Sequence, residues 1–256
     1  MRFASLGSGS RGNALLVEAG GTRLLLDCGF GPREIDYRLG RLGLVAADLA
    51  GILVTHEHSD HVAGAFKLAA RHRLTIRMTH GTHAALPSQN DREPPCVELI
   101  DSHRSFHIGD LEVHPFPVPH DAREPVQFVF SDGRHRLGVL SDLGSSTPHV
   151  ERMLSGCDAL VLECNHDAEM LRRGTYPPHL KRRIAGRFGH LDNDAAARLL
   201  ASLDTGRLQH LVAAHLSQQN NTPELAKAAL SGVLGCAGEW VTIADQETGF
   251  GWRDLL

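Results

Sequence analysis

Short apolar runs recur along the chain, separated by glycine-rich turns and by stretches with helical spacing. The runs bounded by turn residues predict strands over 14–17, 23–26, 51–54, 111–115, 126–130, 137–140, 159–162, 211–214 and 240–243. Apolar residues three and four apart predict helices over 62–71, 148–154, 167–173, 177–187, 193–203 and 223–234. In the last of these Thr222 is the expected N-cap, since its hydroxyl can accept an orphan N–H, and Pro223 is the expected first helical residue. Strands alternating with helices predict an α/β fold with sheet inside and helices outside. No repeat or polar linker interrupts the pattern, so residues 1–256 are read as a single domain.

Several apolar runs lead directly into a residue able to bind a metal or a proton. Leu26 precedes Asp27, Thr55 precedes His56, Pro119 precedes His120, Ser141 precedes Asp142 and Ala214 precedes His215. Ligands of α/β folds gather where strand ends meet loops, so these residues could face one site. The densest segment is His56-Glu57-His58-Ser59-Asp60-His61. His56 and His58, two apart in an extended stretch, point the same way and can share an ion. Asp60 and His61 fall at the start of the next helix, turned toward a second ion, with Ser59 as its expected N-cap. A chain of this composition would contain the pattern by chance roughly once in 200 cases. Imidazoles beside a carboxylate suit zinc, iron or manganese better than a thiolate-selective ion.

Composition narrows the setting. The chain carries 17 histidines and five cysteines among 256 residues, and no cysteine pair has CxxC spacing, which excludes a thiolate zinc site and a disulfide framework. No apolar run approaches the roughly 18–20 residues of a membrane span, and Met1–Leu6 lacks a signal-peptide core, so a cytoplasmic protein without a membrane partner is expected. The net charge of −4 is not that of a typical nucleic-acid binder. Between Met170 and Leu191, however, Arg172, Arg173, Lys181, Arg182, Arg183 and Arg187 occur with no acidic residue. They are either a solvated helix face or a frame for phosphates. Ser8, Ser10 and Asn13 sit in a glycine-rich loop that is either an anion-binding nest or a plain turn.

The order Asp27, HxHxDH at His56–His61, His120, Asp142 and His215 resembles the five motifs of the metallo-β-lactamase superfamily. The resemblance implies a four-layer αββα sandwich with a dinuclear site at one edge. It implies one divalent ion (Zn²⁺ or Mn²⁺, with Fe²⁺ as a further candidate) on His56, His58 and His120. The second would lie on Asp60, His61 and His215, with Asp142 bridging and Asp27 orienting the histidine loop from behind. Aspartate rather than cysteine at Asp142 is similar to the dinuclear phosphodiesterases and thioesterases. His58 in place of glutamate departs from the diiron redox branch.

A narrower resemblance is to the YycJ/WalJ-type branch, proposed DNA exonucleases. It rests on Leu6-Gly7-Ser8-Gly9-Ser10-Arg11-Gly12-Asn13, Glu163-Cys164-Asn165-His166-Asp167, Gly189-His190-Leu191-Asp192-Asn193 and Ala214-His215-Leu216-Ser217-Gln218-Gln219-Asn220-Asn221. The branch carries Thr and Ser where this chain has Ser141 and Asp192. Two ions about 3.5–4 Å apart can activate a bridging water as hydroxide and clamp an in-line displacement. Asp60 and Asp142 would then serve catalysis directly, with His190 as general acid. Ser8, Ser10, Asn13, His166, Lys181, Arg182, Arg183, Arg187 and His190 are the candidate substrate contacts. The combined reading is a metal-dependent phosphodiesterase acting on DNA as a 5′→3′ exonuclease. One rival is a hydrolase of a small phosphodiester, thioester or lactone; another is a metal-binding regulator without turnover. The oligomeric state is left open.

Overall fold

The computed structural model describes residues 1–87 and 95–256. Among them, one sheet holds β1 (Arg2–Gly7), β2 (Ala14–Ala19), β3 (Thr22–Leu26), β4 (Gly51–Leu53), β5 (Ile76–Thr79) and β6 (Val97–Ile100). Its outer edge beside β1 is the last strand, β14 (Phe250–Asp254). The other sheet runs β7 (Phe106–Ile108), β8 (Leu111–Pro117), β9 (Val126–Ser131), β10 (Arg136–Leu140), β11 (Ala159–Glu163), β12 (His210–Ala214) and β13 (Val241–Ile243) in spatial sequence.

The two sheets face each other across an apolar layer that includes Phe3, Leu24 and Leu53 from the first and Phe128, Val139 and Val212 from the second. The outer face of the first sheet, through Leu25, Ile52 and Ile76, packs on Ile35 and Leu39 of α1 (Pro32–Gly40) and Leu68 of α3 (Ala65–His72). The outer face of the second packs on α5 (Pro148–Leu154), α8 (Asn193–Ser202) and α9 (Pro223–Leu234). This is the expected αββα order of layers. Central strands are buried on both faces, which is why they read as unbroken apolar runs rather than alternating ones.

Within each sheet the strands nearest the site are parallel: β3 to β6 in the first and β10 to β13 in the second. The registers Leu26↔Leu53, Leu140↔Leu162 and Glu163↔Ala214 bring their C-terminal ends level. Two level rows of strand ends, one per sheet, therefore border the same rim.

The structure corrects the sequence expectations at several points. Strands β1, β5, β6, β7 and β14 were not predicted; β6 and β7 are half-exposed, so no apolar run marks them. The helix expected over 62–71 is two pieces, α2 (Ser59–Val62) and α3, separated at Gly64. A Cβ at Gly64 would lie 1.8 Å from the Phe30 carbonyl oxygen, and its N–H donates to the Cys28 carbonyl at 2.8 Å, so the chain crosses too closely for any side chain. Ser59 is inside α2, and the N-cap position belongs to His58, which makes no capping bond. The helix expected over 177–187 is α7 (Pro178–Ile184), after which residues 185–189 loop toward His190. Thr222 does cap α9, accepting the Leu225 N–H, with Pro223 as the first helical residue. Among the described residues no helix is long and apolar enough to cross a membrane.

Candidate metal centre

Backbone geometry aims the site. Asp27, Asp142 and His215 each follow a strand and each adopts a left-handed conformation, with φ of 60°, 53° and 55°. Such values cost a non-glycine residue about 1 kcal/mol or more and persist only where surrounding structure imposes them. Here they turn each strand end inward at the rim. The His56–His61 segment follows β4 and is held behind by Asp27, which accepts from the Thr55 N–H at 2.9 Å and the Thr55 hydroxyl at 3.1 Å.

The nitrogen and oxygen donors fall into overlapping sets whose atoms lie within 4.8 Å of one another: His56, His58 and His120; Asp60, His61 and His215; and His56, His61 and Asp142. Asp142 sits between the first two sets, 2.9 Å from His61 Nε2, 3.7 Å from His215 Nδ1 and 3.9 Å from His120 Nε2. All seven side chains expected as ligands are thus brought together, five contributed before residue 62 or just after β8 and two from the ends of β10 and β12.

Hydrogen bonds behind the rings decide which nitrogen faces the cluster. His61 Nδ1 donates to Asp27 Oδ2 at 2.7 Å, which leaves Nε2 forward. His120 Nδ1 donates to the Gly189 carbonyl at 3.0 Å, likewise freeing Nε2. His56 Nδ1 meets the Thr55 hydroxyl at 2.9 Å, and its Nε2 is buried with no hydrogen-bond partner among the described residues. A buried bare imidazole nitrogen is costly unless something binds it. Burial, then the charge of His61, hold the His56 pKa well below its ordinary value, so the ring is neutral with a lone pair to share. The donor set fits a divalent cation on this observation: neutral, oriented imidazoles, an unpartnered buried nitrogen, and carboxylates to balance the charge.

The second set is charged differently. Burial disfavours the imidazolium of His215, but Asp142, Asp60 and Glu163 outweigh it and raise its pKa to about 10. His61 is raised well above its usual value, burial again being overcome by Asp142 and Asp27. Burial opposes the ionisation of Asp60, yet His215 and His61 pull its pKa below the ordinary range.

Sequence reasoning missed Glu163, the fully buried last residue of β11. Its Oε1 accepts from His190 Nδ1 at 2.7 Å and lies 3.4 Å from His215 Nδ1, while Oε2 accepts the backbone N–H groups of Leu143 at 2.9 Å and Leu191 at 3.1 Å. It ends an apolar strand exactly as Asp142 and His215 nearly do, and that was the available signal. Burial works against its charge, but His190 and His215 prevail and hold the pKa at about 2. His190 stands 3.3 Å from Asp142 Oδ1 and carries a raised pKa, burial being outweighed by Glu163.

The remaining candidates divide. Ser8 and Asn13 are buried and serve the rim from within: Ser8 Oγ accepts the His215 N–H at 2.9 Å, and Asn13 Nδ2 lies 3.3 Å from Asp60 Oδ2. Ser10 is exposed and lines a cavity of about 380 Å³ in front of the donors, together with Tyr176, Leu180, Arg183 and His190. Arg183 reaches it from α7, paired with Asp121 at 2.5 Å. Lys181 donates to the Arg172 carbonyl at 2.8 Å. Arg182 and Arg187 are exposed, and among the described residues neither guanidinium has a hydrogen bond or ion pair. His166 is buried, belongs to none of the donor sets and lines a separate cavity with His190.

This fold and this strand-end site belong to a known class. Residues 22–215 match the sequence model of the beta-lactamase superfamily domain, and the chain is a member of that superfamily. It is 37% identical over 235 residues to exodeoxyribonuclease YycJ of Bacillus anthracis, covering 91% of this chain and 89% of the relative. It is 31% identical over 241 residues to exodeoxyribonuclease WalJ of Streptococcus pneumoniae serotype 2 (strain D39), covering 92% and 89%. Among solved structures, the metallo-beta-lactamase fold protein YhfI of Bacillus subtilis superposes with a TM-score of 0.75 at 17% identity, covering 99% of each chain.

Proposed function

We propose that the protein is a metal-dependent exodeoxyribonuclease that degrades DNA from the 5′ end, with two divalent ions in the donor sets. The carrying observation is the convergence of His56, His58 and His120 on one side of Asp142, and of Asp60, His61 and His215 on the other. The exodeoxyribonuclease activity for which the two relatives aligning over most of this chain are named supports a DNA substrate. Bound there, the ions would supply a water-derived nucleophile at neutral pH and positive charge for the phosphoryl oxygens.

The chain's own groups do the rest. Asp142 positions the reacting centre between the two sets. Glu163 accepts the Nδ1 proton of His190, which lines the front cavity, and so leaves Nε2 to protonate a departing alkoxide. Arg183, reaching the same cavity, and Arg182 and Arg187, exposed on and just beyond the same helix, bind the phosphate backbone without reading sequence.

The test is hydrolysis of a 5′-labelled duplex by chelated protein with Zn²⁺, Mn²⁺ or Fe²⁺ restored singly, beside a chromogenic phosphodiester and a thioester. Release of labelled mononucleotide from the outset, dependent on added ion, is expected. Turnover of the thioester alone would overturn the reading.

Loading should also move protons. In the ion-free protein the raised pKa values keep His61 and His215 protonated at neutral pH, whereas ligation needs both neutral. Binding at pH 7 should therefore release protons, and affinity should weaken as pH falls. Titration calorimetry in two buffers of different ionisation enthalpy measures this; a heat independent of buffer would contradict the ligand assignment.

A further inference from the structure

Two cavities meet at His190. The front one is lined by His58, Asp60, Asp142 and His215 of the expected ligands. The second, of about 350 Å³, lies on the other side of the imidazole, between the loop after β10 and helix α8, and contains none of the seven expected ligands. We infer that this second cavity receives the nucleoside of the terminal nucleotide, its base against the apolar wall and its phosphate passing His190 to the donors. The inference rests on the nuclease reading and deepens it.

Size and lining point to a small organic group. The volume falls within the roughly 300–1,000 Å³ of small-ligand sites. Ala185, Leu191, Ala195 and Leu199 supply apolar surface for the faces of a base. The charges are balanced rather than cationic: Glu151 and Asp192 face the cavity with the guanidinium of Arg198 and the imidazole of His190. What they favour is a neutral ligand bearing N–H groups.

His166 adds an acceptor. It is only 2% exposed, yet it lines this cavity. Asn165 Nδ2 donates to the His215 carbonyl at 3.0 Å, which fixes the amide with Oδ1 toward His166 Nδ1 at 3.3 Å. His166 therefore carries its proton on Nδ1, and Nε2, which has no hydrogen-bond partner among the described residues, is left as a bare acceptor. Asp192 commits Oδ1 to the Ala195 N–H at 2.6 Å, capping α8, and its other oxygen has no hydrogen-bond partner among the described residues. An imidazole nitrogen and a carboxylate oxygen beside apolar walls match the edge of a nucleobase better than a sugar phosphate. A cavity of this volume holds one nucleoside, so the released product would be a mononucleotide.

Equilibrium dialysis on the ion-loaded full chain compares deoxyadenosine 5′-monophosphate with deoxyribose 5-phosphate, in parallel with the duplex assay. The nucleotide should bind about tenfold more tightly or better, through contacts the base-free probe lacks. Two substitutions narrow the cavity from different walls, Ala195→Leu on α8 and Ser146→Leu on the exposed rim. Each should reduce that advantage to about threefold or less while the affinity for deoxyribose 5-phosphate holds. Should Ala195→Leu fail to fold, Ser146→Leu decides, because its hydroxyl makes only an exposed bond to Glu151. Equal binding of the two probes, or an advantage unchanged in the folded variants, overturns the subsite. If DNA is degraded but the base adds nothing, the subsite falls and the nuclease reading stands. If DNA is untouched but base-dependent binding is lost in both variants, the cavity stands as a nucleoside site and the nuclease reading falls.

Discussion

Replacing Asp142 with alanine is expected to cut DNA hydrolysis by about 10³-fold or more, equivalent to ~4 kcal/mol of barrier at 1.36 kcal/mol per tenfold. The carboxylate is 2% exposed and lies between the two donor sets, within 3.9 Å of His61, His120, His190 and His215. The two dications proposed would bring four positive charges into this space, and only Asp60 and Asp142 among the expected ligands carry negative charge. Removing one of the two weakens both sets at once; of the nearby carboxylates, Asp27 and Glu163 are tied by several hydrogen bonds each, and Asp121 is paired with Arg183. Asp142→Asn, which keeps the shape and drops the charge, should fall nearly as far. Ion content by mass spectrometry and initial rates on duplex DNA check the prediction; a variant retaining wild-type turnover would sink the ligand assignment.

The second large effect falls on a residue that binds no ion in the proposal. Glu163→Gln should lower kcat by about 10²–10⁴-fold with little change in KM, as when the partner of a catalytic histidine is made unable to accept its proton. The amide can still accept from Leu143 and Leu191 with its oxygen, but its NH₂ then faces His190 Nδ1 and forces the opposite tautomer. Glu163→Ala is different in kind. It strips acceptors from two buried N–H groups and a partner from two histidines, and should destabilise the fold by about 3–5 kcal/mol. The pair of variants separates the two roles: denaturant unfolding should be near normal for Glu163→Gln and shifted for Glu163→Ala. A full-rate Glu163→Gln enzyme would remove His190 from the proton path.

What could be read from the sequence follows from burial. Strands covered on both faces, such as β4, β10 and β12, leave apolar runs that no helix of that length explains, and they were found. Strand β6, with exposed Glu98 and Leu99, and the three-residue β7 bury too little to leave a pattern. The HxHxDH segment was legible because its spacing is local, and Asp142 and His215 because each follows an apolar run. Glu163 escaped because the strand was ended at Leu162, one residue short. Asn13 escaped as a support of Asp60 for another reason: the contact spans 47 positions and depends on how the first loop folds across the sheet end.

The division of donors between the sheets has a consequence during synthesis. His56, His58, Asp60 and His61 emerge early, but the second set lacks His215 until most of the chain has been made, and the loop holding His215 is stapled to Ser8 near the start. A ribosome-bound or truncated chain ending before that point carries an incomplete cradle. If the chain is the nuclease proposed, its hydrolytic capacity is withheld until the last third of the polypeptide has docked onto the first, and completion of folding itself acts as the safety catch.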